Sequence, residues 1–401
     1  MKKFEEFATV PNSEKWKNAI KRDRKLYSHE YGLSTIRSEF DRDYTRIINS
    51  KSYKRLKHKT QVFFSPNNDH ICTRIEHVNL VESISYTIAN YFGLNMELTK
   101  AISVSHDLGH SPFGHQGEKI LSSISEREYG EKFWHEKNGL HFVEDIELLT
   151  DFENKKRNLD LTYAVRDGII SHCGEVNENS LFPRNDAIDL KEYKQPNQYA
   201  PYTWEGCVVK IADKISYIGR DIEDAKKLHI LNEKEIQKMN DYIEKIVLNN
   251  TNIINYLVVN LCKNSSPEKG LRFSKEALEL MNYIKDFNYK NIYFNEKLSP
   301  ANRYFKIVMN EVFYCLKSEF AGKNTIRNLK KMARYYPILS LEFVHWLSHY
   351  AITDDRVNSK YNNKIIYNLE NEQDYARAII DYMSGMTDKY IAQVYNEIVS
   401  F

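Results

Sequence analysis

The stretch HDLGHSPFGHQGE, residues 106–118, concentrates side chains that bind metal ions and transfer protons. Its titratable residues stand among glycines and a proline, and they are His106, Asp107, His110, His115 and Glu118. Each buried imidazole or carboxylate loses hydration and needs a partner to offset that loss, so a purely structural segment gains nothing from this composition. The stretch therefore predicts a functional site.

Two residues elsewhere complete a candidate metal site with His106 and Asp107. The apolar run that precedes this pair predicts a helix, and both side chains can reach one ion near the end of that helix. His77 lies in RIEHVNL on a preceding predicted helix, and Asp213 lies in VVKIADKISY on a later one. Two imidazoles and two carboxylates form a mixed nitrogen and oxygen site that suits Mn, Fe, Co, Ni or Zn.

Helical periodicity dominates the elements that must position these side chains. Apolar residues recur at helical spacing in several segments, which are 75–92, 202–228, 274–294, 341–352 and 376–399. Strand signals are few, and TQVFF at 60–64, followed by the turn residues SPNND, is the best candidate for a hairpin arm. The polar stretch 174–204 predicts a long loop between helices. We therefore expect an all-α fold with at most a small β-hairpin.

Composition narrows the class of protein. The chain of 401 residues is 42% hydrophobic and 28% charged, which is typical of a folded globular protein. The net charge of +2 gives no overall field for nucleic acid, although residues 1–60 hold 16 Lys/Arg against 8 Asp/Glu. That excess fits either a solvated helical face or a surface that attracts phosphate. The scattered cysteines form no CxxC pair, and no apolar run suggests a signal peptide or a membrane span, so we expect a cytoplasmic protein.

Four segments, taken in order, resemble the motifs of the dGTPase-like family of HD-domain deoxynucleoside triphosphate (dNTP) triphosphohydrolases. They are RSEFDRDYTRIINSKSYKRLKHKTQVF, TRIEHV, HDLGHSPFGHQGE and DKISYIGRD. The resemblance implies an HD-domain helical bundle with additional C-terminal helices, which we expect to divide into residues 1–235 and 236–401. It also implies hydrolysis of dNTPs at the α-phosphorus to deoxynucleoside and inorganic triphosphate. Manganese, iron or magnesium is the divalent ion that we expect first.

The leaving group of such a reaction, a sugar 5′-oxygen, is poor, so a proton donor should stand beside it. His115 and Glu118 are three residues apart and can share a helical face, where the glutamate would orient the imidazole and keep it protonated. In the family, residues at these two places are implicated in catalysis. His110, and His135 in FWHEKNG, match family histidines that face the phosphates or the attacking water.

Substrate phosphates need cations. Arg74 precedes His77 by one helical turn, so both can face the site, and it matches a phosphate-binding arginine of the family. Lys214 directly follows Asp213 and matches a phosphate-binding lysine. Both could instead be ordinary surface charges. His172 and Glu175, in ISHCGEV, are further candidates, but His172 fits a structural histidine at least as well as a functional one.

A row of side chains on one predicted helix is suited to a sugar. Asp213, Tyr217 and Asp221 are four residues apart and drift only slowly around a helix. By resemblance, Tyr217 packs on the deoxyribose, where its ring would crowd out a 2′-hydroxyl, and Asp221 accepts a hydrogen bond from the 3′-hydroxyl. Gln61 and Val62 match family residues that approach the 3′ edge of the sugar.

Two other functions stay open. An HD phosphodiesterase or nucleotidase would act on monophosphates, cyclic nucleotides or nucleic-acid ends, often with two metals, and His110, His115 and His135 could serve as the extra ligands. A dNTP-sensing module would bind a nucleotide without needing His115 and Glu118. The resemblance further implies a nucleotide activator or single-stranded DNA as effector, and a homo-oligomer, with a hexamer favoured and no membrane partner.

Overall fold

The computed structural model is helical, with one small two-stranded sheet among the residues that it describes. Those residues are 2–23, 36–64, 68–151, 153–173, 179–242, 249–356 and 360–400. The predicted all-α class with at most a small hairpin is confirmed. Within these ranges, no helix combines the length and the apolar character that a bilayer crossing requires.

The helices and strands follow one another along the chain with these bounds. They are α1 (Trp16–Ala19), α2 (Glu39–Asn49), α3 (Lys51–Arg55), α4 (Arg74–Phe92), α5 (Met96–Ser105), α6 (Gly114–Tyr129), α7 (His135–His141), β1 (Leu148–Thr150), β2 (Lys156–Asn158), α8 (Tyr163–Ser171), α9 (Trp204–Lys227), α10 (Glu233–Tyr242), α11 (Asn250–Asn264), α12 (Lys275–Asn288), α13 (Ser299–Lys317), α14 (Thr325–Met332), α15 (Pro337–Leu347), α16 (Glu372–Ser384) and α17 (Asp388–Val399).

The chain forms two compact units, each built from three segments. The first unit comprises Met1–Ile48, His70–Asp107 and Asp160–Ser299, and the second comprises Asn49–Asp69, Leu108–Leu159 and Pro300–Phe401. The division falls inside the motif 106–118, directly after Asp107. The domain boundary expected after residue 235 stays a prediction.

Helices α4, α5 and α9 form the centre of the first unit. Helix α4 packs on α5 and α9, α5 also packs on α8 and α9, and α9 also packs on α11 and α12. Helix α4 begins after Thr73, whose backbone N–H and hydroxyl donate to Glu76 at 2.8 and 3.0 Å. Its fully buried apolar side chains are Val78, Val81, Ile88, Ala89 and Phe92. Burial of such side chains, each worth about 1.5–3 kcal/mol for the larger ones, holds the three helices together.

The second unit packs its C-terminal helices around an apolar core. Helix α6 contacts α16, α14 contacts α15, and α15 contacts α16 and α17. The Phe113 and Phe305 rings stack in this core with their centroids 4.2 Å apart. The loop between Asp107 and α6 therefore rests on the C-terminal helices of its own unit.

The strand predicted at 60–64 is wrong. The backbone N–H of Thr60 donates to a side-chain carboxylate, that of Asp388, at 2.8 Å, and the residues that follow have no regular structure. A strand pairs its backbone groups with another strand over several residues, whereas this segment has a single bridge at Thr60 and a side chain takes the Thr60 N–H. The sheet lies elsewhere, where β1 and β2 pair antiparallel with Leu148 opposite Asn158. Part of the predicted SPNND turn, residues 65–67, lies outside the described residues.

The loop predicted for 174–204 is confirmed over residues 179–203, apart from a 3-10 turn at Leu190–Glu192 and a single bridge between Leu181 and Leu271. Residues 174–178 lie outside the described part of the chain. Arg184 ties the loop to α8 through an ion pair with Asp167 at 2.5 Å. The loop is therefore an ordered part of the first unit.

Ion pairs account for part of the basic N-terminal region. In the first unit, Arg22 pairs with Glu39 at 3.0 Å and with Asp43 at 2.5 Å. In the second unit, Arg55 pairs with Glu147 at 3.0 Å. These arginines therefore form ion pairs within the scaffold, which agrees with the interpretation of the basic excess as ordinary helical surface charge.

Candidate active site

The predicted metal ligands of the first unit converge on a common point. His77 Nε2 lies 3.1 Å from Asp213 Oδ1 and 3.4 Å from His106 Nε2. His106 Nε2 in turn lies 3.7 Å from Asp107 Oδ1 and 4.0 Å from Asp213 Oδ1. Donor atoms that surround one ion at about 2.1 Å are themselves roughly 3–4 Å apart. These four side chains, called here the predicted metal centre, therefore fit a single cation.

Three mutually packed helices place these side chains. His77 lies in the first turn of α4, His106 follows directly after the end of α5, and Asp213 lies in the middle of α9. The side chains of His77 and His106 are 4% and 0% exposed, and that of Asp213 is 13% exposed. Rigid elements and burial give the centre a fixed geometry.

The second ring nitrogen of each histidine is held by the protein. His106 Nδ1 donates to the backbone carbonyl of Ser103 at 2.7 Å. His77 Nδ1 lies 3.2 Å from the Ser216 hydroxyl, which itself donates to the carbonyl of Asp213 at 2.6 Å and so accepts from His77. Both Nε2 atoms thereby point to the common point, as is usual for metal-binding histidines. Sequence reasoning missed both serines.

The electrostatics of the centre favour a divalent cation. Burial acts to raise the pKa of Asp213, but the hydrogen bond with His77 and the neighbouring imidazoles lower it to about 2. Burial acts to lower the pKa of His77, yet Asp213 and Asp107 raise it overall. Burial keeps the pKa of His106 below its ordinary value, so this imidazole stays neutral. Asp213 and His106 are therefore in the carboxylate and neutral imidazole forms that divalent metals need, and His77 releases its proton when a metal binds.

Arg74 lies against the predicted metal centre. Its Nη1 atom is 2.7 Å from Asp107 Oδ2, and the two side chains are only 1% and 4% exposed. The arginine expected to bind phosphate therefore also fixes the orientation of Asp107. Lys214, the second expected phosphate ligand, is half-buried on α9 beside Asp213.

The structure adds His172 to these surroundings. Its ring centroid lies 4.9 Å from that of His106, and its Nδ1 donates to the carbonyl of Ile169 at 2.7 Å. Ligand atoms of His106, Asp107 and His172 lie within 4.8 Å of one another. Sequence reasoning left this histidine undecided because the ISHCGEV segment has no informative spacing, and Glu175 lies outside the described residues.

The expected sugar row lies along α9 in the first unit. Tyr217 is half-buried and Asp221 is buried. Asp221 Oδ2 accepts a hydrogen bond from the Tyr293 hydroxyl at 2.5 Å. Burial raises the pKa of Asp221 to about 7, and the Tyr293 hydrogen bond limits that rise. Tyr293, in the π-helical turn after α12, was missed, because its only signal was one tyrosine among several in NYKNIYF.

The remaining expected catalytic side chains form a histidine–glutamate cluster in the second unit, made of His110, His115, Glu118 and His135. The backbone N–H and the Nδ1 of His135 lie 3.0 and 3.1 Å from Glu118 Oε1. His115 Nδ1 lies 3.5 Å from Glu118 Oε2. His110 stacks on His135 with centroids 3.7 Å apart. Glu118 therefore contacts both histidines, and its closer partner is His135 rather than the expected His115.

Glu118 carries negative charge in this cluster. Burial acts to raise its pKa, but His135 and His115 bring it well below the usual value. The carboxyl group is consequently ionised beside the histidines. His115 is 64% exposed, whereas His135 is 7% exposed, so the two differ mainly in access to solvent.

Glycines in the motif allow the backbone of the cluster to pack closely. A Cβ atom at Gly109 would lie 2.1 Å from both the Gly139 nitrogen and the His135 carbonyl oxygen. A Cβ atom at Gly117 would lie 1.8 Å from the carbonyl oxygen of Pro112. Side chains at these positions would push α7 and the loop away, which explains the glycine content of the motif.

Two segments of the chain match known domain families. The HD domain matches residues 74–218, a range that contains the whole predicted metal centre, and a phosphohydrolase-associated domain matches 340–397. A deoxyguanosinetriphosphate triphosphohydrolase-like protein of Caldanaerobacter subterraneus subsp. tengcongensis is 32% identical over 381 residues, which are 95% of this chain and 90% of the relative.

Proteins described in the same words from Rickettsia bellii and Clostridium tetani are each 29% identical, over 92% and 90% of this chain and 93% and 86% of their own length. This chain belongs to the dGTP triphosphohydrolase-like family of HD-domain proteins. It is accordingly a metal-dependent phosphohydrolase.

In this family member, the phosphohydrolase-associated segment holds the backbone beside the histidine–glutamate cluster. The Asp388 carboxylate accepts hydrogen bonds from the backbone N–H groups of Phe113 at 2.9 Å and Thr60 at 2.8 Å. Lys59 Nζ donates to the backbone carbonyls of His110 and of Ser384, the latter at 2.9 Å. Both Asp388 and Lys59 are buried.

Gln61 and Val62 follow this anchored segment directly, with Gln61 buried and Val62 half-buried in the second unit. Asp388 and Phe113 are 275 positions apart in the chain, and no local pattern in MTDKY indicates the contact. Sequence reasoning therefore missed the anchor.

Proposed function

We propose that this phosphohydrolase cleaves deoxynucleoside triphosphates at the α-phosphorus and releases the deoxynucleoside and inorganic triphosphate. The observation that carries the proposal is the row on α9, in which Asp213 of the predicted metal centre is followed by Tyr217 and Asp221 on the same unit. The groups that we assign to a phosphate and to a sugar therefore follow one another on one helix. The description of the relatives as dGTP triphosphohydrolase-like supports the same substrate class.

The donor set fits a divalent metal ion, which His77, His106, Asp107 and Asp213 would hold. Such an ion, when bound, polarises a phosphate oxygen and makes a bound water more acidic. Manganese, iron or magnesium is our first expectation, and the mixed nitrogen and oxygen donors also accept cobalt, nickel or zinc.

The first unit supplies the groups that we assign to substrate binding. Arg74 brings positive charge for the phosphates while it orients Asp107. Lys214 brings a second cation. Tyr217 covers the face of the deoxyribose and excludes a 2′-hydroxyl, and Asp221 accepts a hydrogen bond from the 3′-hydroxyl.

The second unit supplies the proton transfer in this proposal. His115 donates a proton to the departing 5′-oxygen, and Glu118, 3.5 Å from its Nδ1, orients the imidazole. His135 shares Glu118, and His110, stacked on His135, faces the phosphates or the attacking water. Gln61 and Val62 approach the 3′ edge of the sugar.

Product analysis tests the proposal directly. The purified protein is incubated with each dNTP, alone and in mixtures, with Mn²⁺ or Mg²⁺, and the products are separated by ion-exchange chromatography. We expect deoxynucleoside and triphosphate, with matched ribonucleotides cleaved poorly. Release of inorganic phosphate or pyrophosphate would contradict the assigned reaction.

The sugar assignment has its own variant. Tyr217→Ala should lower the preference for dGTP over GTP, because space for a 2′-hydroxyl opens beside the ring. Tyr86→Ala, at a half-exposed tyrosine of α4, is the control and should leave the preference unchanged. Equal selectivity in the Tyr217 variant and the wild type would count against the assignment.

One observation favours a second candidate, an HD phosphodiesterase or nucleotidase with two metals. His110, His115 and Glu118 offer ligand atoms that all lie within 4.8 Å of one another. Metal analysis of the loaded protein separates the two functions, since the triphosphohydrolase needs one ion per chain and the alternative needs two. The hexameric assembly, the nucleotide or single-stranded DNA effector and the cytoplasmic location stay predictions.

A further inference from the structure

A cavity of about 290 Å³ lies within the second unit, and none of its lining residues belongs to the histidine–glutamate cluster. Its walls come from α3, from the segment 142–156, from α15 and from the chain around α16 and α17. The volume is at the lower end of small-molecule sites. Lys51, Lys156 and Glu342 among the lining residues are exposed, so a solute can reach the cavity.

Basic side chains surround His349 in the lining of the cavity. The rings of His345 and His349 lie 4.8 Å apart, and Lys51 and Lys156 line the cavity close enough to His349 to act on its charge. Among the described residues, neither imidazole makes a hydrogen bond through a ring nitrogen. Burial lowers the pKa of His349 to about 4, and the charges of His345, Lys51, Lys156 and Arg356 contribute to that shift. The field at this imidazole is therefore positive.

Two of the three carboxylates that line the cavity, Glu147 and Asp381, are engaged in hydrogen bonds. Glu147 accepts from the backbone N–H of Lys51 at 2.9 Å and from Arg55 at 3.0 Å. Asp381 accepts from His141 Nε2 at 3.0 Å and from a tyrosine hydroxyl. The negative charges of Glu147 and Asp381 are therefore already compensated by these partners.

Glu342 also lines the cavity and lies near two of its tyrosines. Burial raises the pKa of Tyr382 and of Tyr390, and the charge of Glu342 adds to both shifts. The two hydroxyls lie 3.1 Å apart, and the Trp346 ring lies 5.5 Å from that of Tyr382. The cavity is therefore also lined by aromatic rings, two of which carry hydroxyl groups.

We propose that this cavity binds a small molecule with a phosphate group and a flat ring. The phosphate would be bound by Lys51, Lys156 and His349, because ammonium and imidazole groups form strong charge-assisted hydrogen bonds with phosphate oxygens. The ring would pack on Trp346 and Tyr382. The cavity is a binding site separate from the reaction assigned above, and the proposal does not depend on that reaction.

Calorimetric titration of the full chain with phenyl phosphate, inorganic phosphate and phenol tests the proposal. We expect phenyl phosphate to bind at least about tenfold more tightly than inorganic phosphate or phenol, because the basic and the aromatic side chains then both contact the ligand. Lys51→Ala and His349→Gln should each weaken that binding about tenfold. Lys54→Ala, which removes an exposed lysine of the same helix that does not line the cavity, should have no effect.

A spectroscopic readout locates the ligand. The NMR signals of His349 should shift on addition of phenyl phosphate, and its pKa should rise because an anion offsets the surrounding cations. If His349→Gln does not fold, Lys156→Ala takes its place in the same comparison. Equal affinity for phenyl phosphate and inorganic phosphate would show an adventitious ion only. Binding that neither Lys51→Ala nor the second variant weakens, or that leaves His349 unshifted, would overturn the proposal.

Discussion

The predicted metal centre of the first unit and the histidine–glutamate cluster of the second unit are built in contrasting ways. The metal centre takes its side chains from three packed helices, and the second nitrogens of its histidines are held by Ser103 and Ser216. The cluster lies where a loop turns into α6, and its close packing depends on glycines and on buried side-chain anchors. His106 is fully buried, whereas 64% of the His115 side chain is exposed.

The difference fits the roles that we propose for the two groups. Ligands of an ion must keep a fixed geometry, so regular helices and buried hydrogen bonds suit them. A group that transfers a proton must reach both substrate and solvent, so an exposed position at the start of a helix suits it. We expect substitutions in the two regions to have separable effects.

The largest effect is expected at the metal centre. His106→Ala removes a buried ligand, so bound metal should fall well below one ion per chain and dNTP turnover should fall by roughly 10³-fold or more. Metal analysis and turnover are measured on the same preparation. His58→Ala, at an exposed histidine of the second unit, is the control and should retain both. Full metal content in the His106 variant would contradict the assignment of His106 as a metal ligand.

A change in the cluster should separate chemistry from metal binding. His115→Ala should lower turnover by ~10²–10⁴-fold, the range for a lost acid catalyst, while metal content and dNTP binding persist. Turnover and nucleotide affinity are measured side by side, with Lys119→Ala as an exposed control on α6. Unchanged turnover would remove His115 from the proposed reaction.

The Asp388 anchor sharpens the contrast between the two regions. Asp388→Asn keeps the size of the side chain but replaces one of two acceptor oxygens with a donor that faces a backbone N–H. We expect kcat to fall by about 10–100-fold through misplacement of the loop, with KM and metal content little changed. Thermal unfolding monitors stability in parallel. A loss of metal together with activity would indicate a general structural role and contradict a local positioning role.

The smallest effect is expected at Asp221, whose pKa is about 7. As an acceptor for the 3′-hydroxyl, the carboxyl must be ionised, so KM should rise as the pH falls below about 7. Tyr293→Phe removes a hydrogen bond that favours the ionised form, so the pKa increases and the rise in KM should begin about one unit higher or less. Tyr289→Phe serves as the control. A profile that shifts to lower pH would refute the reasoning.

The local sequence pattern was sufficient to predict much of the fold and the residues that meet in the predicted metal centre. The apolar spacing of 75–92 and 202–228 predicted α4 and α9 almost to their ends, since burial of one face is a local property of a helical sequence. The types and order of His77, His106, Asp107 and Asp213 predicted the set that the structure brings together. The apolar spacing determines which face of each helix is buried, and the adjacent His106 and Asp107 identify the segment that joins them.

The tertiary structure alone decided which distant groups meet. Asp388 takes the backbone donor of Thr60, so the segment 60–64 is no strand, and Tyr293 reaches Asp221 from a turn that follows another helix. His172 joins the surroundings of His106 in the same way. A helical pattern specifies which side of a helix is buried but not which side chain from elsewhere in the chain will satisfy a polar group there. These partners are selected only when the helices pack.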